Sequence, residues 1–336
     1  MSQLVHVAIA GAASAIGEAL VEIAEERGFP IGDLHVIDEG DSIGQSLPYK
    51  GRNLRVRDVA QFDFNQVGLV FFAGEVALLD RYLGAARQAG CAVIDVTSGK
   101  NSAALPCVVP ELNAQRLASM SKPVCVSSPA PEATALAVVL APLLDLLSLE
   151  RITVTACVPV SSRGRRGVNE LARQTAELLN ARPLEPRVFG QQVAFNLLGA
   201  DDTPEADGHT ILEKRFANEL KQLLDKPLLP IAVSCILAPV FFGSSLSVSL
   251  LCADEVDLDA VSQALEQAPG LELAAIGEQP SVVGDAIGQD VVHVGRVRHG
   301  HDDRRQVNLW IVSDNVRKGA ALNAVQTGEL LIKHYL

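Results

Sequence analysis

Residues 4–17, LVHVAIAGAASAIG, read as an apolar strand, a turn bracketed by two glycines, and the start of a helix. In such a turn, backbone N–H groups and a helix N-terminus can face a pyrophosphate. Two glycines alone are a weak signal, because Gly11 could simply end a strand and Gly17 could simply permit close helix packing; their place between strand and helix supplies the weight. Gly11, Ala13, Ser14, Ala15, Ile16 and Gly17 form the candidate cofactor loop.

The same alternation continues downstream. A helix is expected over residues 15–27, strands over 34–37, 69–72, 92–94 and 124–126, and a further helix near 77–89. Continuous apolar strands separated by helices indicate a parallel sheet covered on both faces. Residues 1–129 are therefore expected to form a Rossmann-like dinucleotide-binding domain. Its second strand ends in Asp38, Glu39, Gly40 and Asp41. An acidic side chain there can accept ribose hydroxyls, whereas three carboxylates repel the extra phosphate of NADP. NAD is thus favoured over NADP if a cofactor binds, and a solvated acidic turn is the competing reading.

Beyond residue 130 the pattern changes. A helix over 132–147 is apolar at nearly every position, which suits burial on most of its surface. Longer alternating strands follow at 151–160, 231–237, 245–252 and 307–313, with helices over 168–180, 211–224 and 319–335. Alternation of this kind suits an α+β domain with an antiparallel or mixed sheet packed on one face. The expected division is residues 1–129, 130–316, and a C-terminal helix over 317–336 that returns to the first domain.

Composition excludes some partners. A formal net charge of −12 argues against a nucleic-acid surface, and the run Arg163, Gly164, Arg165, Arg166 is read as the local exception, a solvated loop. No apolar stretch reaches the length of a membrane helix, so a cytoplasmic protein is expected. The six cysteines stand singly, without a C-x-x-C pair, and His299 and His301 lie in a polar loop; neither pattern calls for a metal.

The most specific stretch is residues 308–326, NLWIVSDNVRKGAALNAVQ. It resembles the C-terminal signature of aspartate-semialdehyde dehydrogenases almost residue for residue. The glycine loop resembles the same family's G-x-x-G-x-x-G with Ser14 at the middle glycine, residues 108–113 resemble its V-V-P-E-V-N, and Ala194, Phe195 and Asn196 its A-F-N. The resemblance implies a homodimer, a nucleotide domain, a central domain for catalysis and dimerisation, and a terminal helix that places Gln326 at the nucleotide.

It also implies a reaction: a cysteine thiolate attacks an aldehyde, hydride passes to NADP, and the acyl-thioester is released to phosphate. Here the chain departs from the family. Pro131 stands in the nucleophile's place, Val158 in that of the substrate-orienting glutamine, Leu237 in that of the carboxylate-binding arginine, and Ser244 in that of the general-base histidine. Leu237 cannot form a bidentate pair with a carboxylate, and the Ser244 hydroxyl does not titrate near neutrality. The family's phosphate-site arginine falls at Asn101, beside Lys100; its lysine falls at Arg215 and its substrate-binding glutamate at Leu212. Lys100 and Arg215 are the remaining candidate pocket residues.

Replacement thiols were sought in Cys125 and Cys157, for which a buried, unreactive state is the ordinary expectation. The expected function is that of a catalytically silent homologue acting by binding to a nucleotide or to a protein partner, including a mixed dimer with an active paralogue. The alternative is an NAD(P)-dependent oxidoreductase of the family type in amino-acid biosynthesis.

Overall fold

The computed structural model describes residues 4–97, 104–200 and 202–334. It comprises two compact units: one runs through Pro129 and resumes at Ala320, and the other is Ala130–Gly319.

The first unit begins with β1 (Val5–Ala10), α1 (Ala15–Glu26) and β2 (Ile31–Asp38), followed by a hairpin of β3 (Ser46–Tyr49) and β4 (Arg52–Arg55). Then come β5 (Arg57–Asp58), β6 (Leu69–Phe72), α2 (Val76–Gln88), β7 (Ala92–Asp95), α3 (Pro110–Asn113) and β8 (Cys125–Ser127). Six strands form a parallel sheet in the order β5-β2-β1-β6-β7-β8. Its strands are apolar throughout because both faces are covered: Val7 and Ile9 of β1 enter a core shared with α1, while Ala8 and Ala10 enter the core shared with α2. The strand order reverses between β1 and β6, so the C-terminal ends of those strands frame the crevice where ligands of such sheets sit.

The second unit carries α4 (Pro131–Leu140), β9 (Leu149–Val158), α5 (Gly164–Leu179), α6 (Ile211–Leu224), β10 (Ile231–Leu237) and β11 (Ser244–Cys252). It continues with α7 (Leu258–Gln267), β12 (Leu271–Leu273), β13 (Val292–His299) and β14 (Gln306–Ser313). The sheet order is β10-β9-β11-β14-β13-β12; β10–β9 and β12–β13 are parallel pairs and the others antiparallel, so the sheet is mixed. Helices α4, α6 and α7 pack against it. One row across the sheet, Ser234, Thr155, Ser247 and Trp310, consists of register partners with no residue fully buried. That row accounts for the polar half of the alternation.

The last helix, α8 (Asn323–His334), belongs to the first unit. Asn323 Nδ2 donates to Val108 O and Ser128 Oγ, and Arg27 pairs with Glu329. A Cβ on Gly328 would fall 2.9 Å from the Phe29 ring, so a glycine there allows α8 to approach the core.

Three expectations are corrected. The apolar helix ends at Leu140 and gives way to a tighter turn, Ala141–Leu143, because Pro142 lacks an N–H and its ring crowds the preceding turn. The terminal α-helix starts at Asn323, after a wide turn over Arg317–Leu322. Strand β13 was not expected at all: between Gly295 and Arg298 its register shifts, with Arg296 at φ 53°, and this bulge breaks the two-residue period that marks a strand.

Candidate functional site

The glycine loop is a tightly built turn. Gly11 has φ +78°, and a Cβ there would lie 1.8 Å from Ala73 O; one on Gly17 would lie 2.3 Å from Gly11 O. Ser14 caps α1, accepting from Gly17 N at 3.0 Å and donating to Gly11 O at 2.7 Å. The serine therefore does structural work at the family's middle-glycine position. The amides of Ala15 and Ile16 open α1, where a helix leaves N–H groups without internal acceptors. A pyrophosphate fits that end of the turn.

The acidic strand end is more engaged than its sequence suggests. Asp38 Oδ2 accepts from Ala13 N at 3.2 Å and Oδ1 from Glu39 N at 2.8 Å, while Glu39 pairs with Arg81 at 2.8 Å and accepts from Tyr82. Asp41 is exposed. Gln326 sits half-buried on α8, whose apolar face enters the same core as α1.

In the second unit, the four positions that the resemblance marks, Pro131, Val158, Leu237 and Ser244, are linked in two pairs of segments. Val158 and Leu237 are register partners at the ends of β9 and β10, both buried. Pro131 and Glu132 open α4, and the Ser244 hydroxyl at the start of β11 donates to Glu132 Oε1 at 2.6 Å. Glu132 is 2% exposed and Ser244 1%. A Cβ on Gly319 would fall 2.6 Å from Pro131 Cβ, so the proline ring lies directly against the backbone of the C-terminal signature.

That signature is a clamp. Asn315 Oδ1 accepts from Gly243 N at 2.7 Å and Asn315 Nδ2 donates to Ser161 Oγ at 3.1 Å. Asp314 accepts from the amides of Val316, Arg317 and Gly288. Its acidic and amide side chains thus hold three loops together. The sequence reading overlooked Glu132, Asp314 and Asn315. Glu132 had a visible signal, as the single charge in the otherwise apolar run PEATALAVVL, where a buried carboxylate requires a partner.

Arg215, the pocket charge kept in kind, forms an ion pair with Glu219 at 2.6 Å, and Glu219 Oε2 also accepts from Ala130 N at 2.7 Å. Its charge is therefore balanced within α6. Lys100 and Asn101 lie outside the described residues. Burial raises the Cys125 and Cys157 thiols above their ordinary value, which disfavours thiolate. His299 shares a hydrogen bond with Val256 O and His301 is exposed; among the described residues no three potential ligands cluster as a metal site. Arg163 pairs with Asp202 at 2.9 Å, and Gly164 opens α5, so the basic run continues into a helix.

Comparison with known proteins now adds to this geometry. Residues 6–120 match the model of the semialdehyde dehydrogenase NAD binding domain, and residues 140–318 that of the semialdehyde dehydrogenase dimerisation domain. A relative from Vibrio cholerae described as aspartate-semialdehyde dehydrogenase 2 is 38% identical over the whole of both chains. The chain belongs to the aspartate-semialdehyde dehydrogenase family. Within that family it is 53% identical, again over all of both chains, to a Pseudomonas aeruginosa protein described as a USG-1 protein homolog. A solved structure of a probable aspartate-semialdehyde dehydrogenase from the same organism superposes with a TM-score of 0.97 at 53% identity, covering 99% of this chain and 100% of that one. Family membership bears on this cluster, because the family fold is kept while Pro131, Val158, Leu237 and Ser244 depart from the residue types that the resemblance leads one to expect.

Proposed function

We propose that this member of the aspartate-semialdehyde dehydrogenase family is catalytically silent and acts by binding. The observation that carries this reading is the Ser244–Glu132 hydrogen bond, which ties up the position of the general base next to Pro131 at the position of the nucleophile. With Val158 and Leu237 beside one another, the four altered positions offer no thiol, no imidazole base and no guanidinium clamp.

The nucleotide half of the reading rests on the first unit. Gly11, Ala13, Ser14, Ala15, Ile16 and Gly17 would cradle the pyrophosphate, with Asp38 toward the ribose and Gln326 also at the nucleotide. Bound nicotinamide dinucleotide would supply a hydride acceptor. NAD is favoured over NADP because three carboxylates at the end of β2, Asp38, Glu39 and Asp41, would repel an added phosphate. Homodimerisation is supported by the match of residues 140–318 to the dimerisation domain and by the half-covered row through Thr155, Ser247 and Trp310. The same face suits a mixed dimer with an active paralogue.

The test is an assay of the purified chain with aspartate semialdehyde, phosphate and either NAD or NADP, together with calorimetry of both nucleotides. The reading expects saturable NAD binding without turnover. Turnover comparable to an active relative would overturn it, as would restored growth in a strain lacking its own enzyme.

A further inference from the structure

Two glycines of the second unit leave room for a strap over one end of its sheet. A Cβ on Gly295 would fall 2.6 Å from Pro280 Cδ, and one on Gly243 2.3 Å from Val282 Cγ1, so residues 280–282 lie directly on β13 and on the loop before β11. Trp310 Nε1 donates to Pro280 O at 2.8 Å, which ties the strap to β14. Between strap and sheet remains a cavity of about 440 Å³, whose lining includes Val240, Ser245, Gln279, Val282, Arg296 and Trp310.

Arg296 reaches this cavity because β13 is bulged. Val294 and Gly295 pair with Ile311 and Trp310, so in regular alternation the next residue would pair with Leu309 and turn to the buried side. The register shift before Arg298, with Arg296 at φ 53°, instead leaves Arg296 exposed at the cavity wall. Left-handed backbone is unfavourable for arginine, and a bulge that re-aims a side chain at such a cost is a feature of functional sites.

The polar groups of the lining are uncommitted. Neither the Arg296 guanidinium nor the Gln279 amide has a hydrogen-bond or ion-pair partner among the described residues. Ser245 is 8% exposed, and its hydroxyl likewise has no partner among them. A buried hydroxyl of this kind calls for one. Arg298 donates to Arg296 O and adds a second positive charge. The carboxylates of the strap are turned to their own loop: Asp285 accepts from Ser281 N and Oγ, and Glu278 from Ala275 N.

We propose that this cavity binds a small aromatic carboxylate. The Arg296 fork would take the carboxylate, the indole of Trp310 with Val240 and Val282 the ring, and Ser245 and Gln279 a polar substituent. The volume is within the range of small-ligand sites. The site makes no use of a nucleotide. Trp310 also belongs to the row on which homodimerisation was argued, so the oligomeric state is followed in the same experiment.

Trp310 is the single tryptophan of the chain, and its fluorescence reports directly on the cavity. The full chain is titrated with benzoate, benzyl alcohol and acetate, with light scattering of the same samples, and benzoate is repeated on Arg296→Gln and Arg296→Gly. The expected result is a saturable change with benzoate, at least about tenfold weaker for benzyl alcohol, which lacks the charge, for acetate, which lacks the ring, and in both variants. Arg296→Gly should melt no lower than the parent, because glycine accepts φ 53°. Absence of a saturable change up to roughly 20 mM benzoate, or binding unaltered in the variants, would overturn the site. Acetate binding as tightly as benzoate would overturn the role given to Trp310, and benzyl alcohol doing so would overturn that of Arg296. Loss of the dimer in Arg296→Gln without any benzoate response would assign the guanidinium to a carboxylate of a second copy and overturn the ligand site.

Discussion

The Ser244 hydroxyl donates to Glu132 Oε1 across 2.6 Å, joining the start of β11 to the first turn of α4 with both side chains almost fully buried. Removing the hydroxyl leaves a buried carboxylate short of a donor, so Ser244→Ala should lower stability by about 1–3 kcal/mol. Urea unfolding monitored by circular dichroism measures this. A change within error would show that water or another group replaces the serine.

Restoring the thiol alone should not restore the reaction. In Pro131→Cys the positions read as substrate-orienting, carboxylate-binding and general base still hold Val158, Leu237 and Ser244, whose side chains supply no amide, no guanidinium and no imidazole. We expect no reduced nucleotide above background in a spectrophotometric assay with aspartate semialdehyde, phosphate and NADP. Measurable turnover would mean that the base and clamp come from residues outside this cluster.

Gln174 is completely buried, and its Oε1 accepts from Val193 N at 2.8 Å and Ala194 N at 3.2 Å. Gln174→Ala strands two buried donors, for a loss of about 2–4 kcal/mol. The loop through Phe195, a non-glycine residue at φ 58°, should become the site of faster proteolysis. Limited digestion with chymotrypsin compares the two chains directly.

Glu170 makes acid stability testable. Burial pushes its carboxyl upward, but hydrogen bonds from Arg173, the Arg187 amide and Gln174 outweigh that and hold it below its ordinary value of 4.5. A depressed carboxyl contributes stability above its unfolded value, and that contribution is lost as pH falls through the folded one. The stability gap between wild type and Glu170→Gln should therefore be full at neutral pH and close progressively below about pH 4.5. A gap independent of pH would contradict the assignment.

The thiols should react slowly. Burial raises Cys91 to about 11 and also raises Cys125, Cys157 and Cys252. At neutral pH, titration with a disulfide reagent should show these four modified far more slowly in native protein than in denaturant, as followed by mass spectrometry. Prompt modification of Cys125 or Cys157 would reopen either as a nucleophile.

Local pattern made much of this legible. The apolar run of residues 5–10 and the following glycines specify strand, turn and helix because each depends on neighbours in sequence: period, backbone freedom at Gly11, and the cap at Ser14. The family signature at 308–326 and the proline at position 131 are readable for the same reason, being matters of residue type at known spacing. Pro142 is equally visible in the sequence, but the apolar periodicity around it runs past the helix end that it imposes.

What only the tertiary structure decided is which residues meet. Ser244 and Glu132 are 112 positions apart, Val158 and Leu237 become neighbours through strand register, and Asp38, read as facing a ribose, accepts from the loop amide of Ala13. Buried polar groups must find partners, and the partner is chosen by how distant segments pack. The sequence by itself determined that the family scaffold is present and which residue types stand at Pro131, Val158, Leu237 and Ser244; the packed chain decided that Ser244 and Glu132 meet and bury each other's polar groups.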